Sequence, residues 1–206
     1  MAKALVAMLI ALVLAGCGSS ESGAPVSGVK TSDDDGYHGI LLDEPYAVPG
    51  LTLTDTDGES FDLAAQERRT LVFFGYTNCP DICQVVMSTI VSALAKLSPE
   101  EQRQLQVAFV TTDPARDTRT ALRTYLDRFD PDFVGLTGPI ERIDQLAKPM
   151  DVFIKKGHKL PSGGYAVDHS TVVVAVHHGA GDLVWTGATS PADMAEDLEQ
   201  ILAEHR

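Results

Sequence analysis

Nowhere does this chain hold the ~20 consecutive apolar residues that a helix needs to cross a bilayer. Its longest apolar run, Ala4 to Ala15, has twelve. Cysteine is scarce, with three in 206 residues, which excludes a disulfide-dense scaffold. Basic residues are also few: 16 Lys and Arg against 29 Asp and Glu leave a formal charge of −13. That balance argues against nucleic acid as a partner and against electrostatic adhesion to anionic lipid. No segment repeats at a fixed period, so solenoids and propellers are excluded. What remains is a chain with 44% hydrophobic residues, enough for one globular domain with a real core and a tail.

The tail is at the front. Lys3, the short apolar run and Leu14-Ala15-Gly16-Cys17 read as a secretory signal over residues 1–16. The last four residues resemble the bacterial lipobox, whose cysteine is lipidated after cleavage. Cys17 is therefore the expected lipidation site, and the expected location is the extracytoplasmic face of the bacterial cell membrane, held by lipid. Cleavage removes one charge, that of Lys3, and leaves −14. Residues 17–45 are rich in Gly, Ser and Asp, include Asp33-Asp34-Asp35, and read as a disordered tether. His38 in that stretch receives no role. Folded structure is expected from Tyr46, giving a domain over 46–206.

Within it, Asp55-Thr56-Asp57-Gly58 between two short alternating segments predicts an N-terminal β-hairpin. Leu71-Val72-Phe73-Phe74 predicts a strand covered on both faces. Ile82, Val86, Ile90, Leu94 and Leu97 then recur at helical spacing. Ser98-Pro99-Glu100-Glu101 is a capping box for a short helix, followed by a strand over Leu105 to Thr111. Asp117 is the expected cap of a helix carrying Leu122, Tyr125, Leu126 and Phe129. A third strand over Phe133 to Leu136 and a helix from Pro139 to Pro149 follow. A strand over Asp151 to Lys156, a loop from Gly157 to Tyr165, a hairpin over Thr171 to Thr186 and a final helix after Ser190-Pro191 close the chain. Alternating strands and helices predict an α/β fold, a central mixed sheet flanked by helices.

Two of the three cysteines lie just beyond the first core strand, in Tyr76-Thr77-Asn78-Cys79-Pro80-Asp81-Ile82-Cys83. Pro80 suits a first helical position, which makes Cys79 the expected N-cap and puts Cys83 one turn on. Thiols four residues apart on one helical face sit near the outer limit for a disulfide and equally well for one shared metal ion. A helix N-terminus also favours thiolate, which is both nucleophile and ligand. These residues alone leave disulfide and metal open.

The order of elements, with a dithiol at a strand-to-helix junction, resembles the thioredoxin fold, in which His169 takes the place that is usually a cis-proline facing the dithiol. More specifically, three patches resemble the Sco/SenC family of copper proteins: Phe74 to Cys83, Thr112-Asp113-Pro114-Ala115-Arg116-Asp117-Thr118, and Val167-Asp168-His169-Ser170. The resemblance implies copper, as Cu(I) or Cu(II), bound by Cys79, Cys83 and His169. It implies delivery to the dinuclear copper centre of cytochrome c oxidase subunit II, with that subunit or its assembly factors as partner. It also implies an alternative, a thiol-disulfide oxidoreductase with Cys79 attacking and Cys83 resolving. Two thiolates suit Cu(I) and imidazole also suits Cu(II), so the donor set is chemically consistent. Three intervening residues, where redox motifs usually have two, and His169 favour the metal. Asp168 reads equally as a partner that orients His169 or as a surface loop carboxylate. Asp113, Arg116 and Asp117 are read as a helix cap and a local ion pair. The chain departs from the family at Asn78 and Gln84, often His and Pro there. A peroxiredoxin-type peroxidase is disfavoured because the threonine-to-cysteine spacing before Cys79 is missing.

Overall fold

The computed structural model describes residues 36–159 and 165–204. The expected signal, Cys17 and most of the expected tether lie outside the described residues. In chain order the elements are β1 (Ile40–Ala47), β2 (Thr52–Asp55), β3 (Ser60–Asp62), β4 (Arg69–Gly75), α1 (Ile82–Leu94), α2 (Pro99–Arg103), β5 (Leu105–Thr111), α3 (Arg119–Leu126), β6 (Val134–Thr137), α4 (Ile140–Ala147), β7 (Ile154–Lys159), β8 (Tyr165–His169), β9 (Val173–His177), β10 (Ala180–Trp185) and α5 (Pro191–Glu204).

Eight strands form one sheet in the order β1-β10-β9-β4-β5-β6-β2-β3. β4, β5 and β6 are parallel neighbours, and β9 runs antiparallel to β4. The period of two along a strand divides the core cleanly. Leu71 and Phe73 of β4, Val107 and Phe109 of β5, and Val173 and Ala175 of β9 face the core beneath α1, α3 and α5. Val72, Phe74, Ala108, Val110, Val174 and Val176 face the opposite core beneath α4. Four consecutive apolar residues in β4 are thus explained by helices on both faces; burying each phenylalanine contributes roughly 1.5–3 kcal/mol.

The N-terminal hairpin forms as β2–β3, with Gly58 at φ +96° in its turn and Asp55 Oδ1 accepting from the N–H groups of Asp57, Gly58 and Glu59. It extends the sheet beyond β6. The capping box at Ser98 and Glu101 is present.

Three expectations need correction. Ordered structure starts before Tyr46: β1 begins at Ile40 and pairs with β10, so residues 36–45 belong to the fold and not to a tether. The buried Asp197 carboxylate anchors that start, accepting from the N–H groups of His38 and Gly39 and from the Trp185 indole. The helix after the cysteine loop begins at Ile82 with Asp81 as N-cap, two residues later than Pro80 suggests. Finally, part of the Gly157 to Tyr165 stretch is strand: β7 runs to Lys159 and pairs with β8 in a separate two-stranded sheet. His169 ends that arm.

Candidate metal centre

β4 delivers the chain to the carboxyl end of the parallel strands, where α/β folds place their sites. Gly75 closes it because a Cβ there would stand 2.9 Å from the rings of Phe109 and Phe73. The next residues turn sharply, with the Cys79 N–H donating to the Tyr76 carbonyl at 3.1 Å. Asp81 then accepts from the Ile82 N–H and starts α1, so Cys83 is the second helical residue. Although Cys79 is not the cap, the Cys83 N–H donates to Cys79 Sγ at 3.4 Å. The sulfur therefore receives one of the N–H groups that a helix start leaves free.

His169 comes from the other side. Its Nε2 lies 3.6 Å from Cys83 Sγ, and Cys79, Cys83 and His169 offer donor atoms all within 4.8 Å of one another. Among the described residues no other such group of metal-ligating side chains occurs. Cys83 is fully buried, Cys79 is 5% exposed and His169 9%. Both cysteines are free thiols. His169 Nδ1 donates to the Ser170 carbonyl at 2.9 Å, which assigns the proton to Nδ1 and leaves the Nε2 lone pair toward the sulfurs. Phe73 and Tyr76 pack edge-on against the imidazole at 6.1 and 5.9 Å.

The two thiols are electrically unequal. The hydrogen bond from the Cys83 thiol, together with those from the N–H groups of Cys83 and Asp81, outweighs burial and holds Cys79 down to about 4. Cys83 is pushed up, because its thiol donates a hydrogen bond to Cys79 and is buried. At neutral pH the pair thus holds one thiolate, on Cys79, and one proton, on Cys83. Such a site can attack a disulfide, or accept a soft cation that displaces the remaining proton.

The structure places the remaining candidates differently. Asp168 is exposed on β8, and the Ser170 carbonyl takes the orienting position instead. Successive strand residues face opposite ways, so Asp168 and His169 cannot share a face. Asp117 is no helix cap: Thr118 caps α3, while the fully buried Asp117 carboxylate accepts from the Thr77 N–H, the Thr77 hydroxyl and the Thr111 hydroxyl at 2.9, 2.6 and 2.7 Å. It fastens the cysteine loop to the end of β5. Asp113 and Arg116 form the expected ion pair, and Asp113 also accepts from the Tyr165 hydroxyl at 2.7 Å. Sequence reasoning missed Tyr165 and the work of Asp117. The available signal was adjacency, since the loops leaving two neighbouring parallel strands must meet. Asn78 and Gln84 are exposed beside the site, and His177-His178 lie at the β9–β10 turn.

The protein-family model described as SCO1/SenC matches residues 43–203. The chain is 35% identical to the mitochondrial SCO2 homolog of Bos taurus over 136 residues, 66% of this chain and 50% of that one. More broadly it spans between 44% and 64% of the length of the first curated relatives it matches. Among solved structures, apo Sco1 from Thermus thermophilus superposes with a TM-score of 0.72 at 32% identity, covering 80% of this chain and 96% of that one. Bradyrhizobium japonicum ScoI with copper bound gives 0.65 at 28%, covering 74% and 98%. The chain belongs to the SCO1/SenC family and has its thioredoxin-like fold.

Proposed function

We propose that this SCO1/SenC chain is a copper chaperone that binds copper through Cys79, Cys83 and His169 and delivers it to the dinuclear copper centre of cytochrome c oxidase subunit II. The observation that carries the reading is the convergence of these three donors within 4.8 Å, with the His169 lone pair turned to Cys83. Two sulfurs and one imidazole suit copper in either oxidation state. Copper is cargo here, so three donors at the carboxyl end of the parallel strands, with no fourth His, Cys, Asp or Glu in the group among the described residues, fit an ion that must leave again. Copper bound to Bradyrhizobium japonicum ScoI supports the choice of ion. Residues 1–16 act as the signal, Cys17 carries the lipid, and the following segment tethers the domain at the extracytoplasmic face.

Mixing the copper-loaded chain with copper-free subunit II tests delivery. The account expects the absorption of the dinuclear centre to appear as copper leaves the chain; copper that stays put rejects it. Cys17→Ser should release the protein from membranes, and retention would reject the lipid anchor.

A second reading, reduction of the partner's cysteines, is favoured by the Cys79 thiolate beside a protonated Cys83, the pairing that attack and resolution require. Cys83→Ser should then accumulate a mixed disulfide between Cys79 and oxidised subunit II. No adduct, with copper transfer by the unmodified chain intact, leaves the chaperone alone.

A further inference from the structure

His169 ends β8, and among the described residues the β7–β8 pair has no hydrogen-bonded register with the eight-stranded sheet. An isolated two-stranded hairpin is marginally stable, so contacts with the body must fix the position of the imidazole. Val167 seats the middle of β8 in the main core and Ile154 packs beside it, while the polar and cation–ring contacts gather on Tyr165, at the opposite end of β8. Its hydroxyl donates to Asp113 Oδ1 at 2.7 Å. The Arg116 guanidinium lies 3.9 Å from the Tyr165 ring centroid, and the Lys156 ammonium 4.0 Å from it. Asp113, almost wholly buried, pairs with Arg116. Arg116 also reaches the ring of Tyr76, at 5.7 Å, and Tyr76 packs edge-on against His169. One guanidinium thus spans the hairpin and the cysteine loop. Its Nη2 is buried with no hydrogen-bond partner among the described residues, a costly pose that the ion pair and the two rings hold in place.

We propose that Tyr165, gripped by Asp113 and Arg116, is a positioning residue: it latches the β7–β8 arm to the body and so holds His169 against Cys79 and Cys83. With the latch closed the site offers three donors; with it open, two thiols. The inference deepens the copper reading and rests on it for its purpose, yet the latch can be tested without metal.

The test compares the reduced full chain with Tyr165→Leu, which removes ring and hydroxyl, and Tyr165→Phe, which keeps the ring for Arg116. Without metal, amide hydrogen exchange is read at two places: the Ser170 N–H, which donates to the Phe153 carbonyl across the arm, and the Cys79 N–H, which donates to the Tyr76 carbonyl in the cysteine loop. The latch predicts roughly tenfold or greater acceleration at Ser170 in Tyr165→Leu, a smaller one in Tyr165→Phe, and a Cys79 rate within about twofold of wild type. An unchanged Ser170 rate overturns it, as does equal acceleration at both amides, which marks a general loss of stability. With copper(II) added, the nitrogen hyperfine coupling of His169 should weaken in Tyr165→Leu while the sulfur-to-copper charge-transfer band persists; unchanged coupling also overturns the latch. Absence of any copper signal in wild type rejects the copper reading, while the exchange rates still decide the latch.

Discussion

His169 Nε2 stands 3.6 Å from Cys83 Sγ, although 86 residues separate the two in sequence. The imidazole faces this way because its Nδ1–H is committed to the neighbouring Ser170 carbonyl. A single short-range hydrogen bond therefore selects which nitrogen the dithiol meets, and the central predictions follow from that pairing and from the unequal thiols beside it.

Cys79 should remain reactive well into acid. Its thiol is held down to about 4, so thiolate persists as pH falls from 8 to about 5 and is lost only through pH 4. An ordinary cysteine, at about 8.5, would lose roughly a hundredfold or more of its thiolate over the same descent. Iodoacetamide alkylation of the reduced chain, followed by mass spectrometry, should show a near-flat rate between pH 8 and pH 5.5 at Cys79 and slow modification of the buried Cys83.

Cu(I) binding at pH 7 should release close to one proton. Cys79 enters the reaction already ionised, and only Cys83, held protonated by its neighbour and by burial, must give a proton up. Calorimetry in buffers of different ionisation enthalpy measures this number directly; release of two protons would show that Cys79 is an ordinary thiol.

Asp117→Ala should destabilise the fold by roughly 2–4 kcal/mol, since it strips three donors, one buried and two half-buried, of one buried charged acceptor. Urea denaturation of the reduced chain measures the loss. A cost near zero would mean that water replaces the carboxylate and that the cysteine loop does not depend on it.

Gly75→Ala should cost about 1–3 kcal/mol by overpacking. The new methyl would meet the Phe73 and Phe109 rings, and Phe73 lies against His169. Denaturation gives the cost, and a shift of the His169 ring resonances would report the displaced aromatic.

Local physics made most of the fold legible. The doubly covered β4, the Asp-Gly hairpin and the capping box at Ser98 each have a cause within a few residues, and all three stand. The cysteine pair was legible by composition and position, and His169 through the resemblance of Val167 to Ser170 to a known family. What sequence did not reveal depends on contacts between distant segments. Nothing near Asp117 tells that its carboxylate reaches back 40 residues to Thr77, and a Thr/Asp-rich loop reads first as a helix cap. Ile40-Leu41-Leu42 was too short to stand as a strand without β10 beside it. Asp168 adjoins His169 in sequence, but alternation along a strand turns neighbours apart, and a backbone carbonyl leaves no mark in the side-chain pattern.

The most direct test of the three-donor site is a Cu(I) competition titration of the reduced chain and of His169→Ala. The account predicts that wild type binds at least about tenfold more tightly, a difference of roughly 1.4 kcal/mol, with the variant retaining weaker binding through its two sulfurs. Equal affinities would contradict it, leaving Cys79 and Cys83 as a dithiol in which His169 has no part.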